Sequence, residues 1–177
     1  MENILECAKL YEKLINKDYV FTVENDIKFT IHFTAENFYH LLGLEKLTDV
    51  VQLKNKQPAR VYKQILSETI KSGTIQKSNL YHLIENRIKN FEHIKDFLNY
   101  EKSNKIIIDF NARKLPFKTK LHNTKFMLYK HIDTTYLHLT IGNKRILYPE
   151  TFIVEYGSQY ISGQKMLDIL SIDVIEK

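Results

Sequence analysis

The sequence has a single cysteine, Cys7, so the chain cannot form an internal disulfide bond. A secreted scaffold held together by disulfides and a zinc module built from cysteines are both excluded. Cys7 follows Glu6 in a segment with helical periodicity, and no pattern of charged neighbours would make its thiol a nucleophile. We therefore predict that Cys7 is a packing residue.

Glycine is also scarce: the five glycines are scattered, and none forms a glycine-rich phosphate loop. The chain lacks a His-Glu-x-x-His helix, a Cys-x-x-Cys pair and a Gly-x-Ser-x-Gly elbow. These absences argue against nucleotide-driven, zinc-dependent and α/β-hydrolase chemistry, and the acidic residues do not cluster as a two-metal site requires. We expect no cofactor and no metal, and any hydrolytic chemistry would use His, Lys, Arg, Tyr and hydroxyl groups.

Long hydrophobic runs are absent as well. No stretch reaches the roughly 18 apolar residues that a transmembrane helix needs. The first 13 residues are amphipathic and charged, unlike the apolar core of a secretory signal. We therefore expect a soluble, cytoplasmic protein without a membrane partner.

The chain does contain enough apolar material for a sizeable core. Hydrophobic residues make up 44% of its 177 positions, and 11 Tyr and 10 Phe are among them. No repeat, Pro- or Gly-rich linker or low-complexity segment divides the sequence. We therefore expect a single domain over residues 1–177.

Positive charge is concentrated in the middle of the chain. Residues 54–130 contain 17 Lys and Arg against 6 Asp and Glu, a net charge of +11, whereas the two flanks together carry −6. The overall charge of +5 hides this asymmetry. The distribution favours a partner that carries phosphate groups.

Hydrophobic periodicity predicts an α+β fold with an N-terminal helix and β-hairpin, a helical middle and a C-terminal four-stranded antiparallel sheet. Helices are predicted over residues 2–17, 37–42, 59–71 and 78–100, with a closing helix over 164–171. Strands are predicted in a hairpin over 19–33 and over 106–110, 126–132, 135–142 and 145–155. Gly43 is the expected stop of the second helix, and Thr34 its expected N-cap.

Histidine is the first candidate for acid–base chemistry, because an unperturbed imidazole titrates near neutrality. Among the seven histidines, His40 is singled out by its place on a short helix directly after a strand and before Gly43. From there its ring can project into a cleft. A histidine that only caps the backbone of a helical turn is the other interpretation.

The predicted sheet offers a second set of candidates. Tyr136, His138 and Thr140 alternate with apolar residues and therefore share one face of their strand. Tyr129 and Lys130 lie in the strand before it. An antiparallel sheet with one solvated face would explain the same pattern without any function.

A basic loop leads into these strands, and its cations interleave with an aromatic side chain, a pattern suited to gripping phosphates. A charged loop that is simply solvated is the alternative. The candidate nucleic-acid-binding residues are Arg113, Lys114, Lys118 and Lys120.

Residues 37–44, which read NFYHLLGL, follow Ile31-His32-Phe33 and resemble the N-F-x-H-L-x-G-L signature of a nuclease family associated with phages and mobile elements. This family is the fourth of the phage Barnase–EndoU–colicin–RelE-like groups. The resemblance extends in order over roughly residues 5–155. Its further segments are 62–65, 72–75, 84–88 with Phe91, and 148–152.

The resemblance implies a metal-independent endoribonuclease of toxin type, with helices packed on a four-stranded antiparallel sheet. In that chemistry a base removes the proton of the ribose 2′-hydroxyl, which attacks the adjacent phosphorus, and an acid protonates the leaving 5′-oxygen. By position, His40 matches the motif histidine, Arg87 the helix arginine and Thr151 the hydroxyl of the final strand. Adding the two strand candidates, the catalytic set is His40, Arg87, Lys130, Thr151 and Tyr129.

RNA is the implied partner, with tRNA one candidate, and an antitoxin or a host protein is a second candidate partner. A different function also stays open at this point. The chain would then be a non-catalytic module of a phage or mobile element that binds nucleic acid or inhibits a host protein. Convergence of His40, Arg87, Lys130 and Thr151 beside the loop 113–120 would favour the nuclease, and their separation would favour the binding module.

Overall fold

The computed structural model describes residues 1–177 except Glu2, 101–104, Asp109 and Lys120, and for residues 105, 107 and 108 it describes the backbone alone. Lys120, one of the candidate nucleic-acid-binding residues, therefore lies outside the described residues. Within the described ranges, none of the helices has the length and the apolar surface needed to span a lipid bilayer.

The described helices are short. The α-helices are α1 (Ile4–Glu12), α2 (Asn37–Leu42), α3 (Pro58–Leu66), α4 (Ser72–Gln76) and α5 (Glu85–Asn90). Single-turn and longer 3₁₀ helices lie at Leu44–Lys46, Val51–Leu53, Tyr81–Leu83, Phe91–Leu98 and Ala112–Lys114. The start of α1 is fixed by Asn3, whose side-chain oxygen accepts hydrogen bonds from two backbone N–H groups of the first turn.

The predicted long helix over 78–100 is wrong, because the chain there divides into the 3₁₀ helix Tyr81–Leu83, then α5, then the 3₁₀ helix Phe91–Leu98. Most of its apolar positions are buried as expected, since helical and 3₁₀ turns both bring residues three apart onto one side, but Leu83 is 43% exposed. The amide of Asn90 donates to the carbonyl of Asn86 at 2.9 Å and so competes with the backbone ladder where α5 ends.

Seven strands form one curled sheet in the described chain. They are β1 (Lys17–Val23), β2 (Ile27–His32), β3 (Lys105–Ile108), β4 (Thr124–Ile132), β5 (Thr135–Asn143), β6 (Leu147–Glu155) and β7 (Met166–Glu176). The order β1-β2-β6-β5-β4-β3-β7 returns to β1, so the sheet closes on itself. The β2–β6 contact is a single parallel pair, Ile31 with Leu147, and the other neighbours are antiparallel.

The α+β class and the antiparallel run β3-β4-β5-β6 agree with the sequence prediction, but the limit of four strands does not. The predicted hairpin joins the same sheet as β1 and β2. The predicted closing helix over 164–171 is wrong, because this segment is part of β7, which pairs with β1 and β3. A short apolar run fits the period of a helix or that of a strand. Here the unpaired edges of β1 and β3 favour a strand, because β7 can form hydrogen bonds with both.

The helices pack against one face of β4, β5 and β6 and enclose the main core. Its centre is aromatic: the ring of Tyr11 lies 5.3 Å from Phe38 and 5.7 Å from Tyr62, and Phe38 lies 5.0 Å from Tyr62. Cys7 is completely buried in this core, which confirms it as a packing residue. Burial raises the pKa of its thiol to about 12, so the thiol stays protonated.

The opposite face of β4, β5 and β6 is covered by two loops, which contribute residues 110–119 with Leu121 and residues 156–165. They pack through a smaller apolar cluster that contains Phe110, Leu115, Leu121 and Met127. As a result His138 and Thr140, which the sequence places on a polar face of β5, are fully buried rather than solvated.

Candidate active site

A cleft of about 760 Å³ opens over β6, between α2 and α5 on one side and residues 118, 119, 121 and 123 on the other. His40, Arg87 and Thr151 all line it, so three of the four residues expected to converge do so. Basic side chains outnumber acidic ones among the residues of the wall. The bases are Lys46, Arg87, Lys118 and Lys144, and the acids are Glu45 and Glu150.

Arg87 links the two sides of this site. Its Nη1 donates to the hydroxyl of Thr151 at 2.9 Å and to the carbonyls of Leu41 and His40 at 3.2 and 3.4 Å. These carbonyls lie at the end of α2, where the N–H of Gly43 also donates to the carbonyl of His40 at 3.1 Å. The guanidinium thus fixes the helix of His40 against the strand of Thr151.

The other two nitrogens of the Arg87 guanidinium are available to a ligand in the cleft. Its Nε and Nη2 have no hydrogen-bond partner among the described residues, and neither is enclosed away from solvent. Burial lowers the pKa of Arg87, although the nearby Glu45 opposes this. A guanidinium remains charged in proteins, so a half-buried positive charge stands here without a carboxylate partner in the described chain.

Gly43 makes the position of Arg87 possible. It ends α2 in the left-handed region, with φ of 74°, as the sequence predicts. A Cβ atom at this position would lie only 3.1 Å from Nη1 and 3.3 Å from Cζ of Arg87. Gly43 therefore satisfies two requirements at once, a positive φ and the close approach of the guanidinium.

His40 stands at the mouth of the cleft with its ring half-exposed. Its Nδ1 lies 3.7 Å from a carboxylate oxygen of Glu45, an ion-pair distance. A carboxylate on that side favours the tautomer that carries its proton on Nδ1, which leaves Nε2 for a substrate. The interpretation of His40 as a histidine that only caps a helical turn does not account for its place beside Arg87.

Lys46 is a site residue that the sequence analysis missed. It lies on the 3₁₀ helix Leu44–Lys46, directly after the motif, and lines the cleft with Arg87. Burial lowers its pKa, and repulsion from Arg87 lowers it further, against the attraction of Glu45. Two cations that destabilise each other in this way are typical of a site built for an anion. The sequence did contain one indication of this role, a lysine that follows Gly43 by three residues.

The backbone of Thr151 is fixed from the neighbouring strand. The hydroxyl of Thr140 on β5 accepts from the N–H of Thr151 at 3.1 Å and lies 3.3 Å from its carbonyl. The pairing of β5 with β6 shifts register just beyond this point, between Thr140 and Ile141. Such a bulge re-aims side chains, and here it accompanies the presentation of Thr151 to Arg87.

Lys130 does not reach the cleft. Cross-strand partners share a face, and Lys130 pairs with Leu137, which points into the main core. The ammonium of Lys130 lies 3.5 Å from the buried carboxylate of Asp96. Its neighbour Tyr129 necessarily has the opposite orientation and pairs with His138, but it is not among the residues that line the cleft. Adjacent strand residues cannot both serve one site from one face.

His138 supports the far wall of the cleft instead of contacting its interior. Its Nε2 lies 2.8 Å from Glu155, while its buried Nδ1 has no hydrogen-bond partner among the described residues. The ring of Tyr160, which does line the cleft, lies 5.3 Å away. Burial and the charge of Glu155 raise the pKa of Tyr160, so its hydroxyl is neutral at ordinary pH.

The candidates of the basic loop divide between different places. Lys118 lines the cleft and also an adjoining groove of about 850 Å³, which contains Arg113. Lys114 donates to the carbonyl of Gly163 at 2.7 Å and so ties the two covering loops together.

Within the described chain, no group of three or more His, Cys, Asp or Glu side chains is arranged to hold a metal ion.

Comparison with known families gives a match over most of the chain. A family model described as phage-Barnase-EndoU-ColicinE5/D-RelE like nuclease 4 matches residues 3–168. The match includes His40, Arg87 and Thr151 and confirms the resemblance seen in residues 37–44. No curated protein and no solved structure matches the chain.

Proposed function

Because the chain belongs to the fourth family of phage-Barnase-EndoU-ColicinE5/D-RelE like nucleases, we propose that it is a metal-independent endoribonuclease that cleaves RNA by attack of a ribose 2′-hydroxyl. The observation that carries this proposal is the contact between the Arg87 guanidinium and the Thr151 hydroxyl beside His40. It joins a cation, a hydroxyl and an imidazole in one cleft, the groups that such a reaction needs.

The scissile phosphate binds between Arg87 and Lys46. The unpaired side of the Arg87 guanidinium offers two N–H directions in a rigid fork, and Lys46 adds a compact charge. As the phosphorus gains a fifth oxygen ligand, negative charge grows on its non-bridging oxygens. Cations already held in a half-buried cleft stabilise that charge without rearrangement.

Thr151 contributes a hydrogen-bond donor. Its oxygen accepts from Arg87, so its own hydrogen points elsewhere, and no described residue accepts it. A hydroxyl oxygen that accepts from a cation is polarised and is a stronger donor in turn. The hydrogen is therefore available to a non-bridging oxygen of the phosphate.

His40 is the base of the first step. Its Nε2 takes the proton of the 2′-hydroxyl, the 2′-oxygen forms a bond to phosphorus, and the bond from phosphorus to the 5′-oxygen breaks. The 5′-oxygen takes up a proton from an acid, which is solvent or the protonated His40. The products are a 2′,3′-cyclic phosphate and a free 5′-hydroxyl.

The charge around the cleft suits a polynucleotide. Lys118 lies between the cleft and the groove that contains Arg113, so a strand leaving the reacting phosphate meets further cations. We therefore retain RNA as the substrate, with tRNA one candidate.

We also propose a toxin role in the cytoplasm, controlled by an antitoxin or a host protein. Residues 1–177 form one nuclease-like domain in this proposal.

The test is incubation of the purified chain with RNA in the presence of EDTA, followed by identification of the new ends. We expect 2′,3′-cyclic phosphate and 5′-hydroxyl ends, loss of cleavage in His40→Ala, and resistance of a substrate with a single 2′-deoxyribose at the cleavage site. Cleavage of DNA at the same rate, or a requirement for magnesium, would contradict the proposal. Salt-dependent binding of RNA without turnover would favour the non-catalytic module.

A further inference from the structure

The side-chain amide of Asn37 has a fixed orientation in the cleft wall. Its Oδ1 lies 2.8 Å from the backbone nitrogen of Thr34 and 2.9 Å from the Thr34 hydroxyl. The backbone nitrogen of Asn37 in turn donates to the carbonyl of Thr34 at 3.1 Å. The sequence predicts Thr34 as the N-cap of α2 in an imperfect capping box with Asn37. The bond from Asn37 back to Thr34 is present, but no side-chain cap bonds the first turn of α2 among the described residues.

This contact decides which end of the amide faces the cleft. A backbone N–H can only donate, so the atom of Asn37 that it meets must be the oxygen and not the nitrogen. The Thr34 hydroxyl must then also donate to that oxygen. The Nδ2 group, with two donor hydrogens, is held on the side away from Thr34.

Nδ2 is a donor without a partner among the residues that the structure describes. Asn37 is 9% exposed and lines the cleft, and no described residue accepts from its amide nitrogen. The nitrogen is not sealed from solvent either, because the one enclosed unpartnered side-chain atom of the described chain belongs to His138. A nearly buried amide in the cleft wall, with its nitrogen open to solvent, can offer its hydrogens to a ligand that occupies the cleft.

We propose that Asn37 is a further phosphate-contacting residue, whose Nδ2 donates to a non-bridging oxygen of the scissile phosphate. Asn37 and His40 are three residues apart on α2 and therefore lie on one side of it. Arg87 is bonded to the last carbonyls of the same helix. One short helix thus brings a neutral donor, the base and the arginine to the same anion. This inference rests on the proposed function and adds a donor that neither composition nor charge indicates.

Asn37→Asp is the informative variant, because the carboxylate still accepts both bonds from Thr34 but cannot donate into the cleft. We expect its kcat to fall by about 100-fold or more, the effect of losing one donor to a developing oxyanion. Thr34→Val removes one supporting bond and leaves the donor in place, so it should lower the melting temperature and keep kcat within about threefold of the parent.

A second control separates the donor from the added charge. Asn86→Asp places the same negative charge on an exposed residue of the same cleft wall, and it should reduce kcat by no more than about fivefold. Equal losses in Asn37→Asp and Asn86→Asp would mean that charge alone explains the effect, and the inference would be overturned. Unchanged kcat in Asn37→Asp would overturn it as well, while leaving RNA cleavage by the parent intact.

A binding measurement tests Asn37 independently of catalysis. In a ¹⁵N spectrum, the side-chain NH₂ pair that disappears in Asn37→Asp is assigned to Asn37. We expect this pair to shift on titration with inorganic phosphate, and to shift further with an oligonucleotide made uncleavable by a 2′-deoxyribose. Shifts at the Arg87 side chain with none at the Asn37 pair would overturn the inference even if the parent cleaves no RNA.

Discussion

The guanidinium of Arg87 and the hydroxyl of Thr151 lie 2.9 Å apart, although 64 positions separate them in the sequence. One residue comes from a helix of six residues and the other from a strand beside a register shift. Neither element would be stable alone, so the contact exists only in the folded chain. The candidate active site is therefore a product of tertiary packing and not of any one motif.

Replacement of Arg87 by lysine tests whether RNA cleavage needs the planar geometry of the guanidinium in addition to its charge. Lysine keeps the positive charge but cannot bond Thr151 and two carbonyls from one planar group. We expect kcat/KM for RNA to fall by about 100-fold, measured by initial rates at matched salt. The control is Arg60→Lys on the exposed side of α3, which should leave the rate unchanged. Equal rates for the two variants would show that charge alone suffices.

Replacement of Gly43 by alanine should harm both stability and activity. The left-handed backbone costs a residue with a side chain roughly 1–2 kcal/mol, and the new methyl group displaces the Arg87 guanidinium. Thermal unfolding and RNA cleavage measure the two effects. Gly73→Ala is the matched control, because a Cβ there meets nothing within 4 Å and the backbone needs no positive φ. That variant should be neutral or slightly stabilising.

Anion affinity should weaken on the alkaline side because of Lys46. Burial and the charge of Arg87 lower its pKa below the ordinary 10.5, so Lys46 loses its charge at a lower pH than a free lysine does. Above pH 8 inorganic phosphate is already a dianion, so a further loss of affinity reports on the protein. We expect calorimetric affinity for phosphate to fall as pH rises through the lowered pKa, and this loss to vanish in Lys46→Met.

Lys89→Met is the control for that titration. Lys89 lies on α5, on the exposed surface, and its hydrogen bond and ion pair with Glu85 raise its pKa instead of lowering it. Its removal should leave the alkaline fall in phosphate affinity unchanged. A fall of the same shape in the parent and in Lys46→Met would assign the titration to another group.

Lys130 should affect stability and not chemistry. Lys130→Met removes one partner of the buried Asp96 carboxylate, which keeps His93 at 3.1 Å. Loss of a partner by a buried charge is destabilising, here by about 1–2 kcal/mol, because the carboxylate keeps its contact with His93. Denaturant unfolding measures this cost, and the rate of RNA cleavage per folded molecule should stay unchanged. A loss of kcat without a loss of stability would restore the catalytic role that the sequence predicts.

Local signals in the sequence predicted most of the elements correctly. The hairpin, the stop of α2 at Gly43 and the four strands from β3 to β6 all follow from periodicity and turn residues. The strand β7 could not be found in this way, because its residues fit a helical period and a strand period equally well. Its pairing with β1 and β3, which are distant in the sequence, decides for the strand.

The same division holds for the candidate site. His40, Arg87 and Thr151 came from a resemblance carried by local motifs, and the fold brings them together. Lys130 was predicted as a site residue from its place in a strand. Side chains alternate between the two faces of a strand, and Lys130 lies on the face opposite to the cleft, near Asp96. Lys46 belongs to no motif, and Asn37 is the first residue of the signature over 37–44, but no role follows for it from the sequence. Only the packing of their neighbours shows a lysine whose pKa is lowered and an amide whose oxygen is bonded to Thr34.

The single parallel pair between Ile31 and Leu147 means that the sheet closes through a seam one residue pair wide. Thr151 is on the strand at this seam, but it is held by β5 and by Arg87 and not by β2. Local opening of the seam therefore breaks few hydrogen bonds and leaves the Thr151 hydroxyl in place. Amide hydrogens at the seam should therefore exchange with solvent faster than those between β4 and β5.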